Sequence, residues 1–395
     1  MTDNPTIKAG LAGSGFAASF HADGVRKVSG VNVELAGVYS PTQEHREKFA
    51  EERGIPAFDS MEELLENVDV VHVCAPPVAH ESIAVSALEQ DKSAIVEKPL
   101  TGYFGNGSED FDGDTFPKKE ALDSAVSSVK RMRDAEAESQ GRIMYAENWV
   151  YAPAIQKERK ILEKTGAQIL WLHGEESHHG SHSPDYGSWK TAGGGVMLNK
   201  GCHPLTGALY LKRVEGWARD GKPIRPVRVS ARAHALTRMQ NFRDEGHIRC
   251  DYDDIDDFSI MHVVFDDGTL ADIFASDIIM GGIHDWIQVA TNNHRTICNI
   301  NPNDAMKTYN PVESNFEDVY TVEKAGTKQG WSFTSPDEDW FLGYQQEIQA
   351  FYENVAEGTA PHSDLSLAGD CMATIYNAYV SAENDGAEEE IEHPW

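Results

Sequence analysis

The sequence predicts an α/β domain on a doubly wound parallel sheet, followed by an α+β domain on an open, mainly antiparallel mixed sheet. A length of 395 residues exceeds what one hydrophobic core usually serves. Up to about residue 150, short apolar segments alternate with stretches of helical spacing, and beyond it alternating strand patterns dominate. We therefore predict that residues 1–150 form the first domain and residues 151–395 the second.

The first domain is predicted from its strand–helix alternation. The predicted strands are residues 7–12, 33–39, 68–75 and 93–96, with 142–149 closing the sheet, and helical spacing covers 60–66 and 81–90. Residues 101–119 interrupt this alternation of strands and helices. They are rich in glycines and acids and show neither helical nor strand periodicity, which predicts an irregular surface loop. Such an insertion is either a lid or binding loop, or a solvated excursion, and the sequence leaves both open.

The second domain is predicted from strands that alternate apolar and polar residues. These strands are residues 168–174, 227–235, 258–265, 270–276 and 286–291, and the helices are 153–163, 200–213, 339–355 and 367–383. Alternation of this kind favours a largely antiparallel sheet.

Composition excludes several classes of function. The chain has 34 Lys and Arg against 64 Asp and Glu, a formal charge of −30, so its surface repels nucleic-acid phosphates. This acidic surface indicates either adaptation to high salt or simply good solubility. No apolar run approaches the roughly 18–20 residues that span a bilayer, and the N-terminus lacks a secretory pattern, so we expect a cytoplasmic protein. The five cysteines lie far apart, which argues against disulfides and a cysteine zinc site.

A glycine-rich turn follows the first predicted strand and opens a helical stretch. Gly13 permits a tight turn, Gly15 lets the backbone approach a pyrophosphate, and Ala18 keeps the helix close to the strand. The helix N-terminus adds free N–H groups for an anion. This strand–turn–helix context predicts a dinucleotide site rather than a merely structural turn. The cofactor residues expected here are Gly13, Ser14, Gly15 and Phe16.

The tip of the second strand is where a dinucleotide ribose is recognised. Here Ser40 and Thr42 replace the acid that would favour NAD, and His45 and Arg46 follow. Room for a 2′-phosphate favours NADP over NAD but leaves the use of both open. Arg46 can equally be a solvated helix residue.

Further motifs resemble one enzyme family. The fourth strand ends in Glu97-Lys98-Pro99, a turn at residues 75–80 carries Pro76 and His80, and residues 193–195 (Gly-Gly-Gly) lead to residues 199–203. Together with the glycine-rich turn, these resemble the glucose-fructose oxidoreductase/inositol dehydrogenase/rhizopine-catabolism (Gfo/Idh/MocA) family. The resemblance implies a Rossmann domain, a C-terminal mixed sheet, and a homodimer or homotetramer.

The resemblance implies that Lys98 lies beside the nicotinamide and the substrate as the leading catalytic residue. In an apolar cleft its pKa would fall toward neutrality, and it would then accept a hydroxyl proton as the hydride leaves. Pro99 would fix the turn, with a cis bond as an option. The other cofactor contacts expected are Ser40, Pro76, His80, Glu97 and Asn148.

The family's second signature reads Asp-x-Gly-x-His-x-x-Asp, and this chain keeps only its glycine and histidine. Asn199 and Thr206 replace the two acids. His203 can still act as a general acid or base, whereas Asn199 can hold a hydroxyl but cannot take its proton. Proton transfer therefore falls to Lys98 and His203, and the family's usual substrates become less certain.

A histidine-rich segment, residues 173–182, follows the first strand of the second domain. Strand alternation puts His173 and Glu175 on one face and Glu176 and His178 near the other. We expect a sugar-binding wall here, and a polar loop or a divalent metal site are the alternatives. The substrate contacts expected are His178, Tyr186, Trp189 and Asn199, and no residue is assigned to a metal.

These inferences predict an NAD(P)-dependent oxidoreductase acting on a hydroxyl-bearing carbon of a sugar, sugar acid or polyol. One alternative is a redox-neutral glycosidase or lyase that oxidises a sugar carbon transiently. Another is a non-catalytic dinucleotide sensor, which would need to keep neither Lys98 nor His203.

Overall fold

The computed structural model describes residues 5–181 and 183–395, and its strands form two main sheets and a small hairpin within those ranges. The strands are β1 Ile7–Ala12, β2 Val33–Tyr39, β3 Val70–Val73, β4 Ser93–Glu97, β5 Ile143–Ala146, β6 Ile169–Ser177, β7 Pro226–His234, β8 Phe258–Phe265, β9 Leu270–Ser276, β10 His284–Thr291, β11 Arg295–Asn301, β12 Lys307–Asn310, β13 Gly330–Phe333 and β14 Glu389–Glu390. The helices are α1 Phe16–Lys27, α2 Gln43–Arg53, α3 Met61–Glu66, α4 His80–Leu88, α5 Lys118–Glu138, α6 Asn148–Tyr151, α7 Pro153–Thr165, α8 Trp189–Ala192, α9 Val196–Asn199, α10 Cys202–Asp220, α11 Glu338–Leu342, α12 Tyr344–Glu357 and α13 Leu365–Glu383.

The first sheet is parallel and has the order β2-β1-β3-β4-β5. Its strands are buried apolar segments, as expected when helices cover both faces. The carboxyl ends of β1, β3, β4 and β5 therefore meet at one edge, where open α/β sheets bind their ligands.

The second sheet has the order β11-β10-β6-β9-β8-β7-β14 and is antiparallel except between β6 and β9. Along β6, buried and half-exposed residues alternate, because one face packs against the helices and the other does not. The fold class predicted from the sequence, a Rossmann sheet followed by a mainly antiparallel mixed sheet, is confirmed.

Two predicted elements are interrupted where the domains meet. The strand predicted over residues 142–149 stops at Ala146, because the Glu147 side chain caps the helical turn α6. The helix predicted over 339–355 is split at Gly343, which has a φ of +97° and separates α11 from α12. A Cβ atom on Gly343 would lie 2.4 Å from the Asn148 carbonyl oxygen, so the backbones pack too closely for a side chain.

The insertion loop is irregular as predicted, but aromatic residues anchor it to the rest of the molecule. Tyr103 and Phe116 are buried, and the Phe116 ring centroid lies 5.0 Å from that of Trp189. The loop also reaches the second domain, since the Gly113 N–H donates to Asp254 at 2.6 Å. The expectation of a simple surface loop is therefore wrong for the aromatic positions, which belong to a core that joins the two domains.

Asp370 on α13 anchors a buried charge cluster at the base of the second domain. Its carboxylate accepts from Arg213 and Arg225, each at 2.8 Å, and lies 2.9 Å from His393 Nδ1. Burial alone would raise the pKa of Asp370, but His393 and the two arginines hold it well below its usual range.

We expect Asp370→Asn to destabilise the fold by about 3–5 kcal/mol at pH 7, because two arginines lose their buried partner. Because the folded-state pKa of Asp370 is depressed, its contribution is complete well above the unfolded pKa of about 4 and is lost as pH falls. Urea unfolding at pH 7 and pH 3 should therefore show a difference between variant and parent that shrinks in acid. Asp385→Asn, which removes an exposed partner of Arg232, is the control and should cost under about 1 kcal/mol. An equal loss for both variants would contradict the role given to Asp370.

Candidate active site

The glycine-rich turn between β1 and α1 has the geometry that a pyrophosphate needs. Gly13 has a φ of +123°, and a Cβ atom there would lie 2.4 Å from the Cys74 carbonyl oxygen. A Cβ atom on Gly15 would meet nothing within 4 Å, so the turn is open on that side. Gly15 is the N-cap of α1 and has no side chain to cap it, which leaves the first N–H groups of the helix to a ligand. Phe16 is 73% exposed beside this turn.

The tip of β2 lies against the same turn. Ser40 Oγ and Ser14 Oγ are 2.9 Å apart, which brings these two expected cofactor residues together. Arg46 is buried, and its guanidinium donates to the Ser40 carbonyl at 3.3 Å and to Asp59 at 2.8 Å. The alternative of a solvated Arg46 is therefore wrong, and a fixed positive charge stands behind the tip of β2.

His80 fixes the ends of β3 and β4. Its Nδ1 lies 2.9 Å from the Pro99 carbonyl oxygen and its Nε2 lies 2.9 Å from the Ala75 carbonyl oxygen. Both ring nitrogens thus face carbonyl oxygens, of which a neutral ring donates to one, and the ring is fully buried, so the expected cofactor contact by His80 is corrected to a bracket between two turns. Pro76 is exposed at the first of these turns, and the Lys98–Pro99 bond in the second is cis.

Lys98 projects from the end of β4 into a cluster of acids. Its ammonium donates to the Asn199 carbonyl at 3.3 Å and lies 6.0 Å from the Tyr186 ring centroid. Burial would lower the pKa of Lys98, but Tyr186, Cys202, Glu176 and Glu97 raise it above the ordinary lysine range. The phenol and the thiol carry no charge at neutral pH, so the two carboxylates are the anions that hold the ammonium. The expected fall of the Lys98 pKa is therefore wrong, because the cleft is acidic rather than apolar.

His203, near the start of α10, lies between two carboxylates. Its Nδ1 is 2.5 Å from Glu147 Oε1, and its Nε2 is 3.6 Å from Glu176 Oε2. An ionised carboxylate can only accept, so the Glu147 bond places the hydrogen on Nδ1 and leaves the Nε2 lone pair toward the cleft. Trp149 stacks beside the imidazole, with ring centroids 6.1 Å apart and planes 21° apart.

Several buried acceptors around His203 have no hydrogen-bond partner among the described residues. They are Glu147 Oε2, Glu176 Oε2, Asn199 Oδ1 and Asp285 Oδ1. Burial raises the pKa of Glu176 and of Asp285, and the Glu176 charge raises that of Asp285 further. Buried acceptors without donors are costly, so this cleft suits a ligand that presents several O–H donors.

A second, basic cluster adjoins the cleft around His178. Its Nδ1 accepts from the Gly180 N–H at 3.0 Å and lies 3.2 Å from Lys324 Nζ. Burial, followed by Lys200 and Lys324, holds the pKa of His178 well below its usual range, so the ring is neutral. Burial and Lys200 lower the pKa of Lys324 to about 8. Lys200 pairs with Asp277 at 2.8 Å.

The structure does not bring every expected residue to the cleft. Trp189 is 2% exposed and packs against Phe116, and its Nε1 donates to the Tyr103 carbonyl at 2.8 Å. The expected substrate contact by Trp189 is therefore corrected to a role in the core. Asn148 was expected to contact the cofactor. Its side-chain amide instead donates to the Leu342 carbonyl at 2.8 Å and so joins the two domains.

Alternation along β6 sends His173 and Glu175 to the half-exposed sheet face, whereas Glu176 and His178 are buried on the cleft side, as predicted. His182, the last histidine of that segment, lies outside the described residues.

Potential metal donors converge at one place in the described ranges, namely Glu147, Cys202 and His203. Burial, followed by Glu147, raises the pKa of Cys202 well above its usual range, which disfavours the thiolate that a metal requires. The His203 ring nitrogen that faces Glu147 is already hydrogen-bonded. Both observations disfavour a metal ion at this group.

The fold and the cleft define a two-domain protein whose Rossmann domain meets a mixed sheet at a buried acid–base cluster. Residues 7–109 match the model of the Gfo/Idh/MocA family, described as an oxidoreductase family with an NAD-binding Rossmann fold. This part of the chain is therefore similar to that family, and the resemblance predicted from the sequence is confirmed. None of the described helices combines the length and the apolar character that crossing a bilayer requires.

Similar proteins extend this result over different parts of the chain. Glucose-6-phosphate 3-dehydrogenase of Bacillus subtilis (strain 168) is 32% identical over 93 residues, which cover 24% of this chain and 26% of that protein. The chain thus matches about a quarter of the length of this relative. GenD2 from gentamicin A biosynthesis, solved in complex with NAD, has a TM-score of 0.77 at 19% identity and covers 98% of this chain and 97% of its own. Myo-inositol 2-dehydrogenase from Lactobacillus plantarum has a TM-score of 0.71 at 16% identity, covering 98% and 100%. These two structures share the fold across both domains.

Proposed function

We propose that this protein is an NAD(P)-dependent dehydrogenase that oxidises a secondary hydroxyl of a sugar, sugar acid or polyol. The observation that carries the proposal is the convergence of Lys98, His203, Glu147 and Glu176 at the carboxyl edge of the Rossmann sheet. The match to an NAD-binding oxidoreductase family and the similarity to dehydrogenases of sugars and polyols support it.

In this reaction Lys98 would stabilise the developing charge and His203 would accept the proton. A nicotinamide dinucleotide held at the glycine-rich turn by Gly13 and Gly15 would supply the hydride acceptor for this oxidation. Lys98, held as an ammonium, donates a hydrogen bond to the reacting oxygen and stabilises its developing negative charge. The His203 Nε2 lone pair takes the hydroxyl proton, and Glu147 orients the imidazole and stabilises the imidazolium that forms.

The buried acceptors without a hydrogen-bond partner indicate which groups the rest of the substrate carries. Glu176, Asp285 and the side-chain Oδ1 of Asn199 would accept hydrogen bonds from neighbouring hydroxyls, which satisfies groups that are costly to bury alone. His178 has its Nδ1 engaged, so its other ring nitrogen is the atom available to a substrate. Tyr186, beside Lys98, would cover the ring.

A panel of sugars, sugar acids and polyols, assayed for reduced nicotinamide with NAD and with NADP at low and high salt, tests the proposal. Net reduction of the cofactor by at least one hydroxyl compound is expected. A protein that cleaves a glycoside without net reduction would support the redox-neutral alternative. Cofactor binding without any turnover would support the sensor, although a buried histidine between two carboxylates is more than a sensor needs.

We propose that NADP is favoured, because Arg46 is fixed behind the tip of β2. Arg46→Ala is expected to raise the KM for NADP by about 10- to 100-fold, the value of a lost charge-assisted hydrogen bond, and to leave the KM for NAD within a factor of about 3. Initial rates with both cofactors provide the measurement. The control is Lys48→Ala, which removes an exposed charge from the same helix. An equal rise for both cofactors would mean that Arg46 only supports the turn.

We further propose a cytoplasmic homodimer or homotetramer. The half-exposed face of the second sheet carries Trp171, Phe274 and Trp286, an apolar surface of the kind that subunits bury. All five cysteines are free, as in a reducing compartment.

A further inference from the structure

A chain of hydrogen-bonded side chains, which we name the His21 chain, runs behind the active-site lysine. It consists of Glu97, His21, His72 and Tyr352. His21 Nε2 lies 2.9 Å from Glu97 Oε1, and His21 Nδ1 lies 2.7 Å from His72 Nδ1. His72 Nε2 lies 2.6 Å from the Tyr352 hydroxyl, which comes from α12 of the second domain. Glu97 Oε2 accepts from the backbone N–H of Lys98 at 3.0 Å.

Both histidines and the tyrosine are almost fully closed to water. The other titratable groups that face His21 are Cys74, at the end of β3, and Glu347, on α12. Burial raises the pKa of the Cys74 thiol, which is therefore uncharged at neutral pH, and burial also disfavours the charged form of Glu347 by raising its pKa. The Glu97 carboxylate is therefore the anion that His21 meets.

Hydrogen accounting allows two arrangements of this chain, which differ in the charge on His21. With a neutral His21, the Tyr352 hydroxyl donates to His72, His72 donates to His21, and His21 donates to Glu97. With a protonated His21, one ring hydrogen goes to Glu97 and the other to His72, which then donates to Tyr352. Only the second arrangement places a cation in a direct side-chain hydrogen bond with the buried Glu97 carboxylate, because Lys98 bonds to Glu97 through its backbone N–H.

The charges of the individual groups favour that second arrangement. Burial would lower the pKa of His21, but Cys74 and Glu97 raise it well above its usual range. The Cys74 thiol is uncharged at neutral pH, so the Glu97 carboxylate, hydrogen-bonded to His21 Nε2, is the anion that favours the protonated ring. Burial, followed by His21, lowers the pKa of His72, which suits a neutral acceptor. His21 hydrogen-bonding and charge lower the pKa of Glu97 against the effect of burial.

We propose that His21 is a positioning residue for the dehydrogenase reaction: as a buried imidazolium held by His72 and Tyr352, it neutralises Glu97 and thereby sets the charge of the cleft that contains Lys98. This inference rests on the proposed function. It assigns a catalytic consequence to a histidine in the first helix of the Rossmann domain and makes the second domain, through Tyr352, part of the same electrostatic unit.

The pH dependence of kcat/KM tests the role of His21. His21→Gln keeps an N–H donor for Glu97 but removes the cation, and the uncompensated carboxylate then stabilises the protonated forms of groups in the cleft. We expect the acid and alkaline limbs of the plot of kcat/KM against pH to move to higher pH by on the order of one unit. In His21→Gln/Glu97→Gln, which removes both charges, the limbs should return to the parent's position.

His80→Gln is the matched control, because His80 is equally buried and holds the same strand ends. Burial lowers the pKa of His80, so the ring is neutral and this substitution removes one donor hydrogen bond but no cation. It is expected to lower stability without moving the limbs. Equal limb positions in His21→Gln and the parent, or equal shifts in His21→Gln and His80→Gln, would overturn the proposal.

A measurement that needs no turnover separates this proposal from the proposed function. In protein labelled with ¹⁵N at histidine, with His72→Gln to assist assignment, the His21 ring should show imidazolium shifts at pH 8. A neutral His21 at that pH would overturn the inference even if the enzyme is active. A panel without turnover, combined with an imidazolium at His21, would overturn the reaction but leave the charge assignment in place.

Discussion

Lys98→Met is expected to lower kcat/KM by about 10²–10⁴-fold, the range found when a positioned proton-handling or charge-stabilising group is removed. Methionine occupies a similar volume without the ammonium, so the reacting oxygen loses its donor while the buried site stays filled. The parent ammonium is held by Glu176 and Glu97, and its loss leaves their charges uncompensated. The effect should therefore lie mainly in kcat, since the ammonium acts on charge that develops in the transition state.

Cofactor binding and folding provide the necessary comparison for Lys98→Met. Fluorescence titration should show a cofactor Kd within a factor of about 3 of the parent, because the glycine-rich turn makes its contacts through backbone N–H groups. Lys190→Met, which changes an exposed lysine on α8, is the matched control and should retain the parent's kcat/KM. Turnover by Lys98→Met within tenfold of the parent would show that Lys98 has been given the wrong role.

Sequence patterns predicted the fold well wherever local chemistry determines the path of the chain. The bounds of β1, β2, β8 and β9 agree with the predicted segments, because apolar runs and alternation report burial directly. Helix α5 was not predicted, although the apolar residues of segment 118–138, directly after the irregular loop, recur at helical spacing. The break at Gly343 depends on the approach of the Asn148 backbone, and no local pattern carries that contact.

The site was predictable only in part, because its carboxylates come from separate strands. Lys98 and His203 were predicted from motifs, and the structure places both in one cluster. Glu147 was missed, although its position after a buried strand at the ligand edge of the sheet was a usable signal. Asp285 lies on β10, and only the pairing of β10 with β6 brings it to Glu176.

The sign of the Lys98 pKa shift was wrong for the same reason. An isolated lysine in an apolar cleft would lose its proton, and the sequence alone did not show that Glu176 shares this cleft. Replacement of the family's two acids by Asn199 and Thr206 had shifted the expected burden onto Lys98. The structure instead places Glu147, which follows β5, and Glu176, on β6, on either side of His203, so two carboxylates from different sheets surround the histidine that the signature keeps.

This arrangement makes Glu147→Gln the second substitution with a large expected effect. We expect kcat to fall by about 10²–10⁴-fold with KM changed by less than about 5-fold, because glutamine fits the space but is uncharged and no longer compels Nδ1 to carry the hydrogen. Without that constraint the imidazole can present an N–H to the cleft, where the reaction needs a lone pair. Stopped-flow measurement of cofactor reduction isolates this step from product release.

Glu175→Gln is the matched control for Glu147→Gln, since it makes the same chemical change one residue before Glu176 on the opposite face of β6. Glu175 faces Trp286 Nε1 at 3.2 Å on the half-exposed side of the sheet, so its kcat should stay within a factor of about 2. If Glu147→Gln also stays within that factor, the 2.5 Å contact with His203 is structural, and the proton must leave through another group. Glu176, 3.6 Å from Nε2, would then be the remaining acceptor, because burial raises its pKa and so makes its carboxylate a stronger base.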